Sequence, residues 1–175
     1  MRVVCLGWGS LIWDPRDLPL GSEWFRDGPS LPIEFSRVGD GGELATAICL
    51  DAPTCEVLWA HLNIQSLDLA VQALRDREQI PDERADGVGI YIVTPESQGV
   101  LGKWASVRGI DAVIWTDLPP RFQGKEGLLP SLGDAVSYLK SLDGKTRAHA
   151  WEYIKRVPAQ IDTPYRRLIK HHLGI

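Results

Sequence analysis

Four apolar, β-branched runs precede the first helical stretch of this 175-residue chain, and that order constrains the fold more than any other feature. Strands are expected near residues 2–6, 33–38, 44–50 and 57–62, each bounded by Gly, Pro or Asp turn signals. Residues 66–78 then switch to a helical period, with Ser66 as N-cap and Leu67, Ala70, Val71 and Leu74 recurring on one face. Two further strands, 88–94 and 111–116, are followed by a helical third: one helix after Ser131, one over about 145–156 stopped by Pro158, and one from Thr163 to about Leu173. Thr163 caps the last of these, with Pro164 in the first position, where its missing N–H costs little. A doubly wound parallel fold needs regular β–α alternation, which this order lacks. The expected architecture is α+β: a small mixed β-barrel with flanking helices, in a single domain over 1–175 whose helical C-terminal third spans about 131–175. Residues 14–32 and 117–130, rich in Pro and Gly, are expected to be long connections.

Composition narrows the function classes. With 44% hydrophobic and 24% charged residues the chain can bury a core without disulfides or a metal. A net charge of −4, with no Lys/Arg-rich block, argues against a nucleic-acid binder. No run approaches the roughly 20 apolar residues of a membrane span and no secretory leader is recognisable, so a cytoplasmic protein without membrane partners is expected. Cys5, Cys49 and Cys55 form no C-x-x-C pair, and Cys5 and Cys49 lie in apolar runs, where a thiol acts as a small hydrophobe. His171 and His172 are adjacent on a helix, about 100° apart, a poor arrangement for one metal ion. They suit a helix end, where cations are favoured.

Two segments carry candidate chemistry. In Leu6-Gly7-Trp8-Gly9-Ser10-Leu11-Ile12-Trp13, directly after the first strand, two glycines one residue apart allow a sharp turn and converging N–H groups, a nest suited to a carboxylate. The competing reading is an ordinary strand-ending turn. Neither the Rossmann glycine spacing nor a P-loop is present. The second is Ala73-Leu74-Arg75-Asp76-Arg77-Glu78: four residues beyond Leu74, Glu78 continues the inward stripe. Partial burial and the negative helix end would both raise its pKa toward that of a general acid/base. Against this stands a solvated charge run in which Arg75 or Arg77 pairs with carboxylates. A triad from Ser10 with His61 or His149 has no G-x-S-x-G elbow to support it. The segment Gln160–Arg167 is unusually polar, and Tyr165 or Arg166 is a further candidate for substrate contact.

With those residues in view, the chain resembles the γ-glutamylcyclotransferase-like superfamily. Trp8-Gly9-Ser10-Leu11-Ile12-Trp13 is similar to the family's Tyr-Gly-Ser-Leu loop, and Leu74-Arg75-Asp76-Arg77-Glu78 to its glutamate segment; the likeness covers about residues 1–116, and the C-terminal helices mark a separate branch. The resemblance implies a cavity for a γ-glutamyl group and an intramolecular reaction: the substrate's α-amine attacks its own γ-carbonyl, giving 5-oxoproline and a released amine, with no cofactor and no metal. It implies Glu78 as the general acid/base and Gly7, Trp8, Gly9, Ser10 and Leu11 as substrate-binding residues, with Tyr91 as a further family-like strand tyrosine. Trp8 departs from the family's tyrosine, replacing a hydroxyl with an indole that only donates.

Two other classes remain open at this point. A noncatalytic small-molecule binding or regulatory module could use the same cavity. An interaction protein would expose its tryptophans, of which there are seven, as interface anchors.

Overall fold

The computed structural model describes all of residues 1–175. The chain divides into two compact units, one comprising Met1–Gly7, Asp14–Ser30 and Glu56–Leu118, the other Trp8–Trp13, Leu31–Cys55 and Pro119–Ile175. Each unit is built around its own mixed sheet.

The first unit carries β1 (Val3–Gly7), β5 (Leu58–His61), β6 (Val88–Ile92) and β7 (Ala112–Thr116), in the order β5-β1-β7-β6. The central pair β1 and β7 runs parallel, with Val4 opposite Val113 and Cys5 opposite Ile114; the outer pairings are antiparallel. Side chains alternate across a strand, so this register sorts the residues onto two faces. Cys5, Ile114 and Thr116 share one face with Val88, Ile90 and Ile92, and helix α1 (Leu67–Arg77) packs there. Val4, Trp59, Val113, Trp115, Gly89 and Tyr91 share the other, where helix α2 (Gly99–Ser106) lies with Trp104 edge-on to Trp59 at 5.3 Å. A Cβ on Gly89 would fall 2.0 Å from the Trp115 ring, so that indole lies across the bare backbone of β6.

Residues 14–32, expected as a connection, cover an edge. Leu20 bridges Leu62 and Phe25 bridges Trp59, with Phe25 and Trp59 exchanging backbone bonds of 2.7 and 3.0 Å along the outer side of β5. This protects an edge that would otherwise be open to pairing.

The second unit holds β2 (Ser30–Val38), β3 (Leu44–Ile48), β4 (Thr54–Glu56), β8 (Arg121–Phe122) and β9 (Lys125–Glu126), in the order β3-β2-β8-β9 with β4 also paired to β2. Around it lie α3 (Leu132–Ser141), α4 (Gly144–Arg156) and α5 (Pro164–Leu173). Thr163 accepts from Arg166 N at 3.0 Å and Ser66 from Leu69 N at 3.4 Å, so both expected caps form, and Ser131, after which a helix is expected, caps it by accepting from Asp134 N at 3.0 Å. The structure differs from the sequence expectation at β8 and β9. They make a tight hairpin within the supposed connection 117–130, through Gln123 and Gly124 at φ 53° and 72°, positive φ at both central residues being what a type I′ turn needs. Helix α2 is a further difference: two glycines in eight residues lower its intrinsic propensity, and burial of Gly102, Trp104 and Ala105 holds it instead.

The α+β class is as expected. No helix is long and apolar enough to cross a membrane. None of the seven tryptophans is exposed; Trp8, Trp59 and Trp104 are buried and the other four are half-buried, which removes the reading of an exposed tryptophan interface.

Candidate functional site

Glu78 is the cap residue that ends α1. The buried stripe of this helix is Ala70, Leu74 and Arg77, at spacings of four and three, so the guanidinium of Arg77 faces inward where the sequence stripe pointed to Glu78. The helix stops in a Schellman arrangement: Ile80 N bonds Arg75 O at 2.9 Å and Gln79 N bonds Asp76 O at 3.1 Å, with Gln79 left-handed at φ 56°. That turn folds the Glu78 side chain back beside Arg77 and toward the end of β7.

The carboxylate is held from two elements. Arg77 Nη1 donates to Glu78 Oε1 at 3.2 Å, and Thr116 Oγ1 donates to the same oxygen at 3.2 Å. Neither bond engages Oε2. The Arg77 side chain is only 5% exposed and that of Glu78 18%, so the pair is not a solvated surface bridge. Arg77 is itself fixed by the chain that follows the loop: its Nε and Nη2 donate to Asp14 O at 3.1 and 2.6 Å, and Arg16 Nη1 returns a bond to Arg77 O at 3.2 Å. Arg16 is left-handed too, at φ 52°. The two non-glycine residues of this unit with positive φ thus flank one network, and strained backbone of this kind concentrates where a site over-determines its geometry. Burial pushes the thiol of Cys5, on the same sheet face, far above its ordinary range; the Glu78 carboxylate adds to this and Arg77 opposes it. Cys5 is therefore a neutral wall of the network, and Cys49 and Cys55 are likewise buried and raised by desolvation.

Tyr91 belongs elsewhere. Opposite Val113, it projects from the sheet face away from Thr116 and Glu78, and its hydroxyl donates to Gln98 O at 3.4 Å beside Gly102.

Gly7 ends β1 in the first unit, whereas Trp8–Trp13 group with the second. The loop is seated there by polar bonds. Thr46 Oγ1 donates to Trp8 O at 3.2 Å, Thr46 N donates to Tyr153 Oη at 3.2 Å, and the Trp13 ring stands edge-on to Tyr153 at 5.3 Å. Gly9, Ser10 and Leu11 form a turn closed by Ile12 N to Gly9 O at 3.0 Å. The glycines do not serve as a left-handed nest, since neither Gly7 nor Gly9 has positive φ. Gly9 is required for another reason: a Cβ there would sit 2.5 Å from both Thr46 Oγ1 and Tyr153 Oη. Leu11 is buried and Ser10 half-buried.

The two C-terminal candidates have structural partners. Arg166 is buried and its guanidinium donates to four carbonyls, those of Ile154, Val157, Pro158 and Ile161, at 2.6–3.0 Å, closing the C-terminal end of α4. Tyr165 Oη donates to Pro130 O at 2.9 Å. What the sequence did not disclose is Glu34, a carboxylate only 3% exposed on β2. It accepts from Phe35 N, from the Thr163 hydroxyl and from Tyr165 N, which ties the sheet to the start of α5. Its signal lay in the strand alternation, where Glu34 sits within an apolar run. No grouping of three or more His, Cys, Asp or Glu side chains is arranged to hold a metal ion.

In sequence, no protein-family model and no curated protein matches the chain. In structure it is similar to a γ-glutamyl cyclotransferase specific to glutathione from yeast, with a TM-score of 0.51 and 11% identity over 99% of this chain and 98% of that one. The chain therefore has a γ-glutamylcyclotransferase-like α+β fold.

Proposed function

We propose that this protein is a γ-glutamyl cyclotransferase-type enzyme that converts a γ-glutamyl amine or peptide to 5-oxoproline and a free amine. The observation that carries the reading is the half-buried Glu78 carboxylate, anchored through one oxygen by Arg77 and Thr116, within a fold similar to that of a glutathione-specific cyclotransferase. In the proposed reaction the substrate's α-amine attacks its γ-carbonyl carbon, and the C–N bond to the leaving amine breaks as the lactam closes. Glu78 takes the proton lost by the attacking nitrogen and delivers one to the leaving nitrogen, so no net proton is consumed. Oε1 being held by two donors, Oε2 is the oxygen assigned to that transfer. Holding amine and carbonyl in an attack geometry supplies much of the rate enhancement in a ring closure. The substrate-binding role of Gly7, Trp8, Gly9, Ser10 and Leu11 rests on the resemblance of their loop, and Tyr91 has no part in the proton transfer. The reading also takes the protein to be cytoplasmic and to need no cofactor.

The test is incubation of the pure protein with glutathione, γ-glutamyl amino acids and γ-glutamyl amines, with 5-oxoproline as the readout. Turnover of at least one substrate, abolished in Glu78→Gln, is expected. Unimpaired turnover in Glu78→Gln refutes the role of Glu78. The Arg77–Glu78 ion pair favours one rival, a binding module whose carboxylate does no chemistry; it predicts ligand-dependent thermal stabilisation with no 5-oxoproline from any substrate.

A further inference from the structure

Both ends of the loop that follows β1 rest on one side chain of α4. At Trp8 the link is a relay of hydroxyls. Thr46 Oγ1 gives its only proton to Trp8 O at 3.2 Å, so in the 3.1 Å bond between Thr46 Oγ1 and Tyr153 Oη the phenol is the donor. The same phenol oxygen accepts from Thr46 N at 3.2 Å. At Trp13 the indole stands edge-on to the Tyr153 ring, with 5.3 Å between centroids. Tyr153 is only 6% exposed and Thr46 9%, so bulk water does not compete for the relay. Between the two anchors lies Gly9, whose missing Cβ lets both oxygens approach its backbone.

This arrangement leaves backbone donors unspent. Gly9 and Leu11 are buried, yet the N–H of neither donates to a protein acceptor, the turn being closed instead by Ile12 N to Gly9 O. Buried backbone donors are nearly always paired, so two left over in one turn are available to a ligand. The relay fixes one of them directly. Trp8 O and the Gly9 N–H belong to one planar trans peptide, in which they point in opposite directions, so holding the carbonyl aims the N–H. We propose that Tyr153 is a positioning residue for substrate binding: through Thr46 it sets the Trp8–Gly9 peptide, so that the loop meets the γ-glutamyl group with its donors already aimed. The assignment rests on the cyclotransferase reading, in which this loop binds the substrate. Donors aimed before binding spare the substrate the cost of ordering the loop. Helix α4 lies outside the stretch 1–116 whose sequence resembles the family, and through Tyr153 it becomes part of the working site.

The experiment is steady-state kinetics on the γ-glutamyl substrate that turns over fastest, well below the melting temperature of every variant. Tyr153→Phe keeps the ring against Trp13 and removes the hydroxyl, whereas Thr46→Val removes the donor to Trp8 O. Each should raise KM about tenfold and leave kcat within about twofold, since the loop holds substrate and transition state alike. The double variant should be no worse than either single one, because both cut the same relay. Thr46→Ser keeps the hydroxyl and should restore the wild-type KM. Ile169→Val, a trimmed core residue of α5, should lower the melting temperature without changing KM, which separates positioning from loss of stability. An unchanged KM in Tyr153→Phe overturns the proposal and leaves the cyclotransferase reading standing. Absence of 5-oxoproline from every substrate with the wild type overturns both. Additive effects in the double variant, or an equal rise in KM in Ile169→Val, overturn the positioning role alone.

Discussion

Thr116 Oγ1 donates to Glu78 Oε1 across 3.2 Å, joining the last residue of β7 to the residue that caps α1. The bond fixes one carboxylate oxygen on the sheet face that carries Cys5. If Glu78 is the proton carrier, this bond positions it without touching the reacting atoms. Thr116→Val keeps shape and removes the donor, and should lower kcat about tenfold, roughly 1.4 kcal/mol of transition-state stabilisation. KM should be unchanged and Thr116→Ser should restore the rate. Steady-state kinetics on the best γ-glutamyl substrate measures both, and an unchanged kcat in Thr116→Val removes the positioning role.

Gln79, directly after Glu78, occupies the left-handed position of the Schellman turn without being glycine. A side chain there costs about 1 kcal/mol relative to glycine. Gln79→Gly should therefore raise stability by about 0.5–1 kcal/mol in denaturant titration. Gln79→Val, β-branched at positive φ, should lower it.

Arg166 is the buried donor on which four carbonyls at the end of α4 depend. Truncation to Met keeps the aliphatic stem and removes every donor; Pro158 O keeps its bond from Ile161 N at 3.0 Å, whereas the carbonyls of Ile154, Val157 and Ile161 lose the guanidinium. The expected loss is about 3 kcal/mol or more, measured as a lower urea midpoint. Arg166→Lys should recover only part of it, because a single ammonium cannot span the four acceptors of a planar fork.

Burial pushes the Glu34 carboxyl above the usual carboxylate range, against hydrogen bonds from Thr163, Phe35 and Tyr165 that pull it down. A folded-state pKa above the unfolded value contributes stability that is fully present below the unfolded value, and that is lost as pH rises through the folded one. Glu34→Gln cannot ionise, so the melting temperature of the variant minus that of wild type should rise from pH 4 toward pH 7. A difference that is flat or falls with pH contradicts the assignment. The absolute sign at any one pH is set separately by how the amide meets the Tyr165 N–H, which requires an acceptor.

Much of this was legible in local chemistry. Ser66, Ser131 and Thr163 are caps because a short hydroxyl can meet an N–H three residues on, a relation contained within four consecutive residues. The apolar runs Val3–Gly7 and Ala112–Thr116 marked strands, but not that the two lie side by side and parallel, since pairing 109 residues apart leaves no local trace. Arg77 and Glu78 show the limit at the candidate site. A stripe continued by four lands on Glu78, but the chain leaves helical geometry there, and the turn through left-handed Gln79 gives the inward place to Arg77.

The sequence by itself determined the α+β class, the main strands and capped helices, the buried thiols of Cys5 and Cys49 and the two segments worth testing, because each depends on neighbours within a turn or a strand. Only the tertiary structure decided what the functional groups meet: Thr116 and Arg77 on one oxygen of Glu78, Thr46 and Tyr153 against the bare Gly9, carbonyls around Arg166, and Tyr91 on the far face of its sheet. Thr116 lies 38 residues from Glu78 and Tyr153 107 from Thr46, so strand register and the packing of helices on the sheets bring them within reach; Arg77 and the carbonyls around Arg166 are near in sequence, but the turns that end α1 and α4 decide how they meet.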